Sequence, residues 1–333
     1  MYVLGIESSC DETGASVVYK GEKVVSNVTA SSIKLHSKYG GVIPEIASRA
    51  QLEFINFVVD QALKDAKINL SKVGLIAVTK GPGLIGSLLV GISFSKALSL
   101  AKKIPILGID HIQAHIYSSF LDTKSKSKPK FPFVGLVVSG GHTSLFYFKD
   151  FNKYTLLGDT LDDAAGEAFD KVAKLLGLGY PGGPALECMA RKGNKDAFRF
   201  KCGDQDSLDF SFSGIKTAVL YKLRDMQKSS KISLKKKQDL AASFQYAVVK
   251  SLVDKAIGAA VRKKVNTLVV GGGVTANGYF RNKLSKDAKD CGIDLFIPEM
   301  SLCTDNAAMI AGLGYQLYRL GNRDTLKFKP KLY

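Results

Sequence analysis

The sequence predicts an α/β protein made of two similar lobes, and three patterns carry this prediction. Strand and helix patterns alternate along most of the chain, as they do in α/β architectures. Residues 2–20 form a strand, a polar turn and a second strand, and residues 133–149 repeat this scheme. At 267–281 an apolar strand ends in three glycines before a helix.

The two repeated hairpins have tips rich in Gly, Ser and Thr (ESSCDETG and SGGHT). Such tips allow backbone N–H groups to converge on an anion. Because each hairpin opens one half of the chain, we expect a duplicated domain with a phosphate held between the halves.

The third pattern places Gly271, Gly272 and Gly273 at the carboxyl end of a strand, where α/β proteins bind nucleotides. The GxGxxG spacing of a Rossmann site is absent, and SGIKT at 213–217 lacks the GxxxxGK spacing of a P-loop. We therefore expect a different nucleotide-binding architecture.

Two polar stretches mark the domain organisation. The Ser-, Lys- and Pro-rich segment at 123–132 has the composition of an exposed linker. It divides an N-terminal lobe (1–122 plus 306–333) from a second lobe with the glycine-rich loops (131–305), joined by a linker at 123–130. The lysine-rich stretch at 227–239 is typical of a solvated approach to a helix, with a phosphate-backbone contact as the alternative.

Composition favours a protein of the reducing cytoplasm with a polyanionic partner. The chain has 333 residues, 47 basic against 30 acidic, and a formal charge of +17, which suggests nucleic acid. Most of the excess is Lys, however, and a general lysine bias would give the same charge. The five cysteines show no CxxC spacing. The start of the chain resembles a strand and not a signal peptide. The apolar segment at 83–101 resembles a buried helix, so no membrane association is expected.

Two of the four histidines lie in DHIQAH at 110–115, where a helix capped by Asp110 is predicted. His111 and His115, at positions i and i+4, would share one helix face and could bind one cation. The spacing resembles HExxH, but Ile112 replaces the glutamate that activates water in zinc proteases. This substitution counts against proteolysis.

A third ligand is expected from a carboxylate elsewhere. Asp305 is the strongest candidate because it precedes an apolar helix, although capping that helix is its alternative role. Asp60 and Asp65 lie in a helical stretch and rank lower as ordinary surface charges.

With these features assembled, the sequence resembles the tRNA N6-adenosine threonylcarbamoyltransferase family in its bacterial form. That family formerly carried the label O-sialoglycoprotein endopeptidase. The resemblance runs nearly from end to end through these motifs: GIESSCDETGAS (5–16), TKGPGLIGSLLVG (79–91), DHIQAH (110–115), VSGGHT (138–143), DDAAGEAFDKVAKLLGLGYPGGP (162–184), FSFSGIKTAV (210–219), GGGVTANG (271–278) and CTDNAAMIA (303–311).

The resemblance implies the two-lobed fold of actin, Hsp70 and the sugar kinases (the ASKHA class), with the nucleotide site between the lobes. It implies transfer of threonylcarbamoyl from L-threonylcarbamoyl-AMP to N6 of the adenosine just 3′ of the anticodon, with release of AMP. The substrates would be tRNAs that read codons beginning with A.

The resemblance also assigns site residues. The metal ligands are His111, His115 and Asp305, with Fe(II) favoured and Zn(II) possible, since two imidazoles and a carboxylate suit both. Mg(II) could accompany a bound nucleotide. The adenylate contacts comprise a strand end with its glycine tip and four further positions: Val137, Val138, Ser139, Gly140, Gly141, Asp170, Gly183, Glu187 and Asn277.

The general base is open between Asp11 and Glu12 at the first hairpin tip, whose alternative roles are turn capping and magnesium binding. His142 follows the glycines, and a structural role suits it equally. The implied partners are tRNA, a smaller paralogous protein (TsaB-type), an ATPase (TsaE-type) and an upstream adenylate-forming synthase (TsaC-type). Segments 44–63 and 84–100 are candidate interfaces, although a place in the buried core is the more usual role for the second.

Three other functions have distinct signatures. A metal-dependent peptidase would cleave peptides, a kinase or ATPase of the same fold class would turn over ATP without tRNA, and a non-catalytic scaffold would yield no modified nucleoside.

Overall fold

The computed structural model describes residues 1–121, 127–204, 206–229 and 232–331. Half of the predicted linker, residues 123–126, lies outside the described residues, as do residues 230–231 of the lysine-rich stretch. The chain forms two compact units. Unit 1 comprises Met1–Lys128 and Pro298–Tyr333, and unit 2 comprises Pro129–Ile297.

Unit 1 is a five-stranded sheet with helices. Its strands are β1 (Tyr2–Glu7), β2 (Glu12–Tyr19), β3 (Lys23–Ser31), β4 (Val73–Gly81) and β5 (Ile106–Asp110), in the order β3-β2-β1-β4-β5. The first three strands pair antiparallel, and β4 and β5 add in parallel. The helices are α1 (Ile33–His36), α2 (Pro44–Asp65), α3 (Ile85–Lys102), α4 (His111–Tyr117) and α10 (Ala307–Arg319).

Unit 2 repeats this plan. Its strands are β6 (Phe133–Val138), β7 (Thr143–Phe148), β8 (Tyr154–Asp159), β9 (Thr267–Gly271) and β10 (Asp294–Phe296), in the order β8-β7-β6-β9-β10. Its helices are α5 (Ala165–Leu175), α6 (Gly182–Ala190), α7 (Ser213–Ser229), α8 (Leu234–Lys263) and α9 (Gly278–Asp290).

The two sheets have the same strand order and the same pattern of strand directions. β6 occupies the place of β1, with an antiparallel hairpin partner on one side and a parallel partner on the other. Both central strands are apolar and buried almost throughout, as expected for strands covered on both faces. The predicted duplication is confirmed.

The tip of the first hairpin is shorter than the sequence indicates. The turn expected at 7–14 is confined to residues 8–11, because the β1–β2 ladder continues to the pair Glu7 and Gly14. The second tip spans residues 139–142. Both tips therefore have four residues.

Helix α3 differs from the expected buried helix, because only one of its faces is buried. That face carries small residues such as Ser87 and Gly91 that allow close packing, whereas Leu89 and Leu100 are 46% and 69% exposed. Among the described residues, α3 alone has the length and apolar composition to cross a membrane, a property that core helices share.

Candidate metal centre and nucleotide loops

The histidine pair lies at the start of α4, directly after β5. The Asp110 side chain accepts a hydrogen bond from the Gln113 amide and caps the helix, as predicted. His111 and His115 stand one helical turn apart, both buried, with ring centroids separated by 4.6 Å. The cap thus fixes where the helix begins and therefore which face carries both imidazoles.

Asp305 reaches the histidines from the segment before α10. Asn306, not Asp305, caps that helix by accepting from the Met309 amide, so the alternative capping role of Asp305 is wrong. One Asp305 carboxylate oxygen lies 3.5 Å from His111 Nε2 and 3.2 Å from His115 Nε2.

The start of α10 packs tightly on β1, which sets the position of Asp305. A Cβ added at Gly5 would lie 2.2 Å from the Ala307 carbonyl oxygen, so a side chain there would displace the helix. Gly5 is therefore required by the close approach of two backbones in unit 1.

The three side chains fit a divalent metal ion. Their candidate ligand atoms all lie within 4.8 Å of one another. Within the described part of the chain, Nδ1 of His115 is buried without a hydrogen-bond partner, and Nε2 has only the Asp305 carboxylate close to it. Leaving a buried ring nitrogen without a partner is costly unless a ligand uses the ring. Two imidazoles and a carboxylate, with coordination positions left for substrate or water, are typical of catalytic metal sites.

The charges of the group are strongly coupled. Burial alone would lower the pKa of His111, but the carboxylates of Glu7 and Asp305 hold it well above its usual value. Burial likewise opposes ionisation of Asp305, yet the two histidines keep its pKa well below the ordinary range. Without metal, the site therefore favours an imidazolium between two carboxylates.

The first hairpin tip places Asp11 and Glu12 in the same unit. Asp11 is buried, and its backbone carbonyl accepts hydrogen bonds from the Ser32 amide and hydroxyl. Burial, and then the charges of Asp305 and Asp11, raise the pKa of Glu12 well above its usual value. A carboxyl group with a raised pKa can exchange protons near neutral pH.

In unit 2, the second hairpin tip continues from Val137 and Val138 at the buried end of β6. The Ser139 amide donates to the His142 carbonyl, and the Ser139 hydroxyl accepts from the His142 amide, so this histidine helps to close the tip. A Cβ added at Gly140 or Gly141 would meet no atom within 4 Å. Packing within the fold therefore does not explain these two glycines, whereas the close approach of a ligand would.

The glycines after β9 lie beside this tip. Gly271 pairs with Val137 across the parallel ladder, and Gly272 adopts φ +96° with its Cα against the Val138 backbone. The Asn277 side chain caps α9 through the Phe280 amide and donates to Gln245.

The remaining predicted adenylate contacts lie on α5 and α6. One Asp170 carboxylate oxygen accepts from the Gly182 and Gly183 amides, which ties α5 to the start of α6. Glu187 accepts from the Gly278 amide and ties α6 to α9. Gly183, like the tip glycines, has open space where a Cβ would stand.

Two site residues are missing from the sequence predictions. Glu7 contacts His111, and Gln245 orients Asn277. A buried acid at the end of an otherwise apolar central strand was the available signal for Glu7. Gln245 carries no comparable signal, since it lies inside the long helix α8.

Comparison with solved structures defines the class of fold. Full-length HypF, in its phosphate- and nucleotide-bound form, aligns over 96% of this chain and 55% of that one with a TM-score of 0.62 and 14% identity. Component A of the (R)-2-hydroxyglutaryl-CoA dehydratase of Acidaminococcus fermentans aligns over 95% and 98% of the two chains, with a TM-score of 0.54 and 15% identity. At these identities the likeness concerns the fold alone, which is the expected actin, Hsp70 and sugar-kinase class.

Sequence comparison narrows the class to a family. The profile of the tRNA N6-adenosine threonylcarbamoyltransferases (TsaD) matches residues 23–312. Relatives with that name from Caldicellulosiruptor saccharolyticus and Clostridium kluyveri are each 50% identical, over 95% and 97% of this chain and 92% and 94% of their own. The chain belongs to this family of transferases.

Proposed function

We propose that the protein transfers the threonylcarbamoyl group from L-threonylcarbamoyl-AMP to N6 of the adenosine 3′ of the anticodon, in tRNAs reading codons that begin with A. Family membership over most of the chain is the observation that carries this proposal. In the reaction, N6 attacks the carbamoyl carbonyl, the bond to the phosphate oxygen breaks, and AMP leaves with the electron pair. N6 loses one proton in the process.

The adenylate is bound in unit 2 by backbone and side chains together. The amides of Gly140 and Gly141 cradle the phosphate, since open space beside the glycines leaves room for an anion, while the Ser139 amide closes the tip through the His142 carbonyl. Glu187 and Asn277 orient the nucleoside, and Asp170 contacts its ribose or adenine through a carboxylate already held by α6. Positioning of a poorly nucleophilic amine supplies much of the rate.

His111, His115 and Asp305 hold one divalent metal ion, with Fe(II) favoured over Zn(II); a separate Mg(II) can accompany the nucleotide. When bound, the metal supplies Lewis-acid polarisation to the carbamoyl oxygen or to the departing phosphate. Burial and the charges of Asp305 and Asp11 raise the pKa of Glu12, which in its ionised form accepts the proton from N6, with Asp11 as the alternative base.

The partner proteins are proposed from the family and from one surface. Exposed apolar side chains stand on α2 (Leu52, Phe57) and α3 (Ile85, Leu89, Leu100). Helices α2 and α3 pack against each other, and large exposed apolar side chains are candidates for a protein–protein contact. We assign those on these two helices to the smaller paralogous TsaB-type protein. The TsaE-type ATPase acts with this pair, and the TsaC-type synthase supplies the adenylate. With tRNA as substrate, the place of action is the cytoplasm.

Mass spectrometry of tRNA nucleosides tests the proposal. Purified protein is combined with its partners, tRNA, threonine, bicarbonate and ATP, and threonylcarbamoyladenosine is expected only when this chain is present. Steady ATP turnover without any modified nucleoside would contradict the proposal.

The partner surface is tested separately. Leu89→Asp on α3 should abolish co-purification with the smaller partner, whereas Leu156→Asp, a similarly exposed position on β8, is the control and should not.

A further inference from the structure

We propose that Glu7 is a positioning residue for the metal centre, which fixes His111 so that Nε2 is the nitrogen that binds the ion. This inference rests on the proposed metal group and adds a residue to it. Glu7 is the last residue of β1, the central strand of the unit 1 sheet, and its side chain is 1% exposed.

Three donors surround the Glu7 carboxylate. One oxygen accepts from the Ser9 amide at 2.6 Å, and the other accepts from the Thr79 hydroxyl at 2.5 Å. The second oxygen also lies 3.2 Å from Nδ1 of His111. An ionised carboxylate only accepts hydrogen bonds, so this contact requires a proton on Nδ1.

When the imidazolium gives up one proton to the incoming ion, the proton retained on Nδ1 leaves Nε2 as the nitrogen with an available lone pair. Nδ1 and Nε2 lie on opposite sides of the ring, and it is Nε2 that faces the Asp305 carboxylate, as does Nε2 of His115. Glu7 therefore approaches from the side of His111 that is turned away from the ion and is not itself a ligand. Carboxylates in this position orient the ring and increase the basicity of the ligating nitrogen.

The Glu7 contact is confined to one of the two histidines. Nδ1 of His115 has no hydrogen-bond partner among the described residues. His111 is consequently the histidine whose orientation is fixed before metal binds. The Glu7 carboxylate that fixes it is held by the Ser9 amide in the turn after β1 and by the Thr79 hydroxyl on β4.

Zn²⁺ affinity, measured by competition with a chromophoric chelator, tests this role. Glu7→Gln should lower the affinity by about 10- to 100-fold, the usual effect of losing an outer-sphere partner of a ligand. Ser16→Ala is the matched control: it removes another buried side-chain hydrogen bond in the same sheet, to the Ser26 carbonyl, without touching the metal group. That control should bind Zn²⁺ as the wild type does.

Two further measurements test the role of Glu7 if Glu7→Gln does not fold. Thr79→Val removes one donor to Glu7 and should lower Zn²⁺ affinity by a few-fold. In the Zn²⁺-loaded wild type, ¹⁵N–¹H correlation spectra of the imidazoles should place the His111 proton on Nδ1. A proton on Nε2, or wild-type affinity in Glu7→Gln, overturns the inference. Unchanged Zn²⁺ binding by Asp305→Ala would instead show that the metal group itself is misassigned.

Discussion

The metal group in unit 1 and the glycine tip in unit 2 recognise their proposed ligands by different means. The metal group consists of side chains from α4 and the segment before α10, with Glu7 of β1 beside them. The tip consists of backbone, with open space beside Gly140 and Gly141. A metal needs particular donor atoms, whereas a phosphate needs amides and open space, so the two units use the same strand plan for different purposes.

The glycines show the same contrast. In unit 1, Gly5 allows the backbone of α10 to lie against β1 and thereby positions Asp305. In unit 2, the tip glycines meet nothing within the fold. A substitution at the first kind of glycine should affect folding, and one at the second kind should affect binding.

Removal of a ligand should have the largest effect. Asp305→Ala leaves two buried histidines without their anionic partner, and we expect metal affinity and threonylcarbamoyl transfer to fall by more than about 100-fold, beyond the effect of an outer-sphere change. Metal content and modified nucleoside are measured on the same preparation. Asp60→Ala, which removes an exposed carboxylate paired with Lys64 on α2, is the control and should behave as the wild type.

A pair of glycine substitutions should separate binding from folding in unit 2. Gly140→Ala is expected to weaken AMP binding by about tenfold or more, with unfolding by urea unchanged, because its methyl group fills the space an anion would occupy. Gly166→Ala places a Cβ 2.6 Å from the Ser139 carbonyl oxygen and should destabilise the fold by about 1–3 kcal/mol. Wild-type AMP affinity in Gly140→Ala would refute the phosphate cradle.

The metal affinity should depend on pH through His111. Glu7 and Asp305 raise its pKa in the folded protein, so below that pKa a proton competes with the ion for Nε2. Apparent affinity should rise about tenfold per pH unit up to the raised pKa and then level off. In metal-free protein, the charged His111 ring contributes to folding stability. This contribution is fully present at acidic pH and is lost as the pH rises through the raised pKa. An affinity independent of pH from 5 to 8 would contradict this.

The smallest effect is expected at Asp163 in unit 2. Burial raises the pKa of Asp163, but the hydrogen bonds from Lys171 and Lys216 lower it by a larger amount. The net shift of the pKa is therefore downward. Its contribution to stability is therefore present above the unfolded-state pKa of about 3.9 and is lost as pH falls through the depressed value. In Asp163→Asn, the free energy of unfolding measured with urea should fall less steeply at acidic pH than in the wild type. The difference should be less than about 1 kcal/mol, since both lysines are partly exposed.

The sequence predicts the parts of this molecule that depend on local spacing. The helix cap at Asp110, the shared face of His111 and His115 and the two hairpins follow from patterns within a few residues. The partners of those residues depend on contacts distant in sequence. Glu7 and His111 are 104 positions apart and meet only because β1 and β5 flank β4 in one sheet.

Which side of α3 stays exposed was also beyond prediction, for a different reason. Its apolar composition is that of a core helix, and nothing in the composition tells which side a sheet will cover. That exposed side carries the apolar side chains that we propose to contact the smaller partner.

Stepwise loading of metal-free protein tests whether the ion held by His111, His115 and Asp305 is required for threonylcarbamoyl transfer. Fe²⁺ is added anaerobically in steps, and bound metal and threonylcarbamoyladenosine are measured after each step in the presence of tRNA, L-threonylcarbamoyl-AMP and the partner proteins. Nucleoside formation should rise in proportion to bound metal, reach its limit at one ion per chain, and be absent in His115→Ala. Full activity in the metal-free protein, or in His115→Ala, would contradict the account.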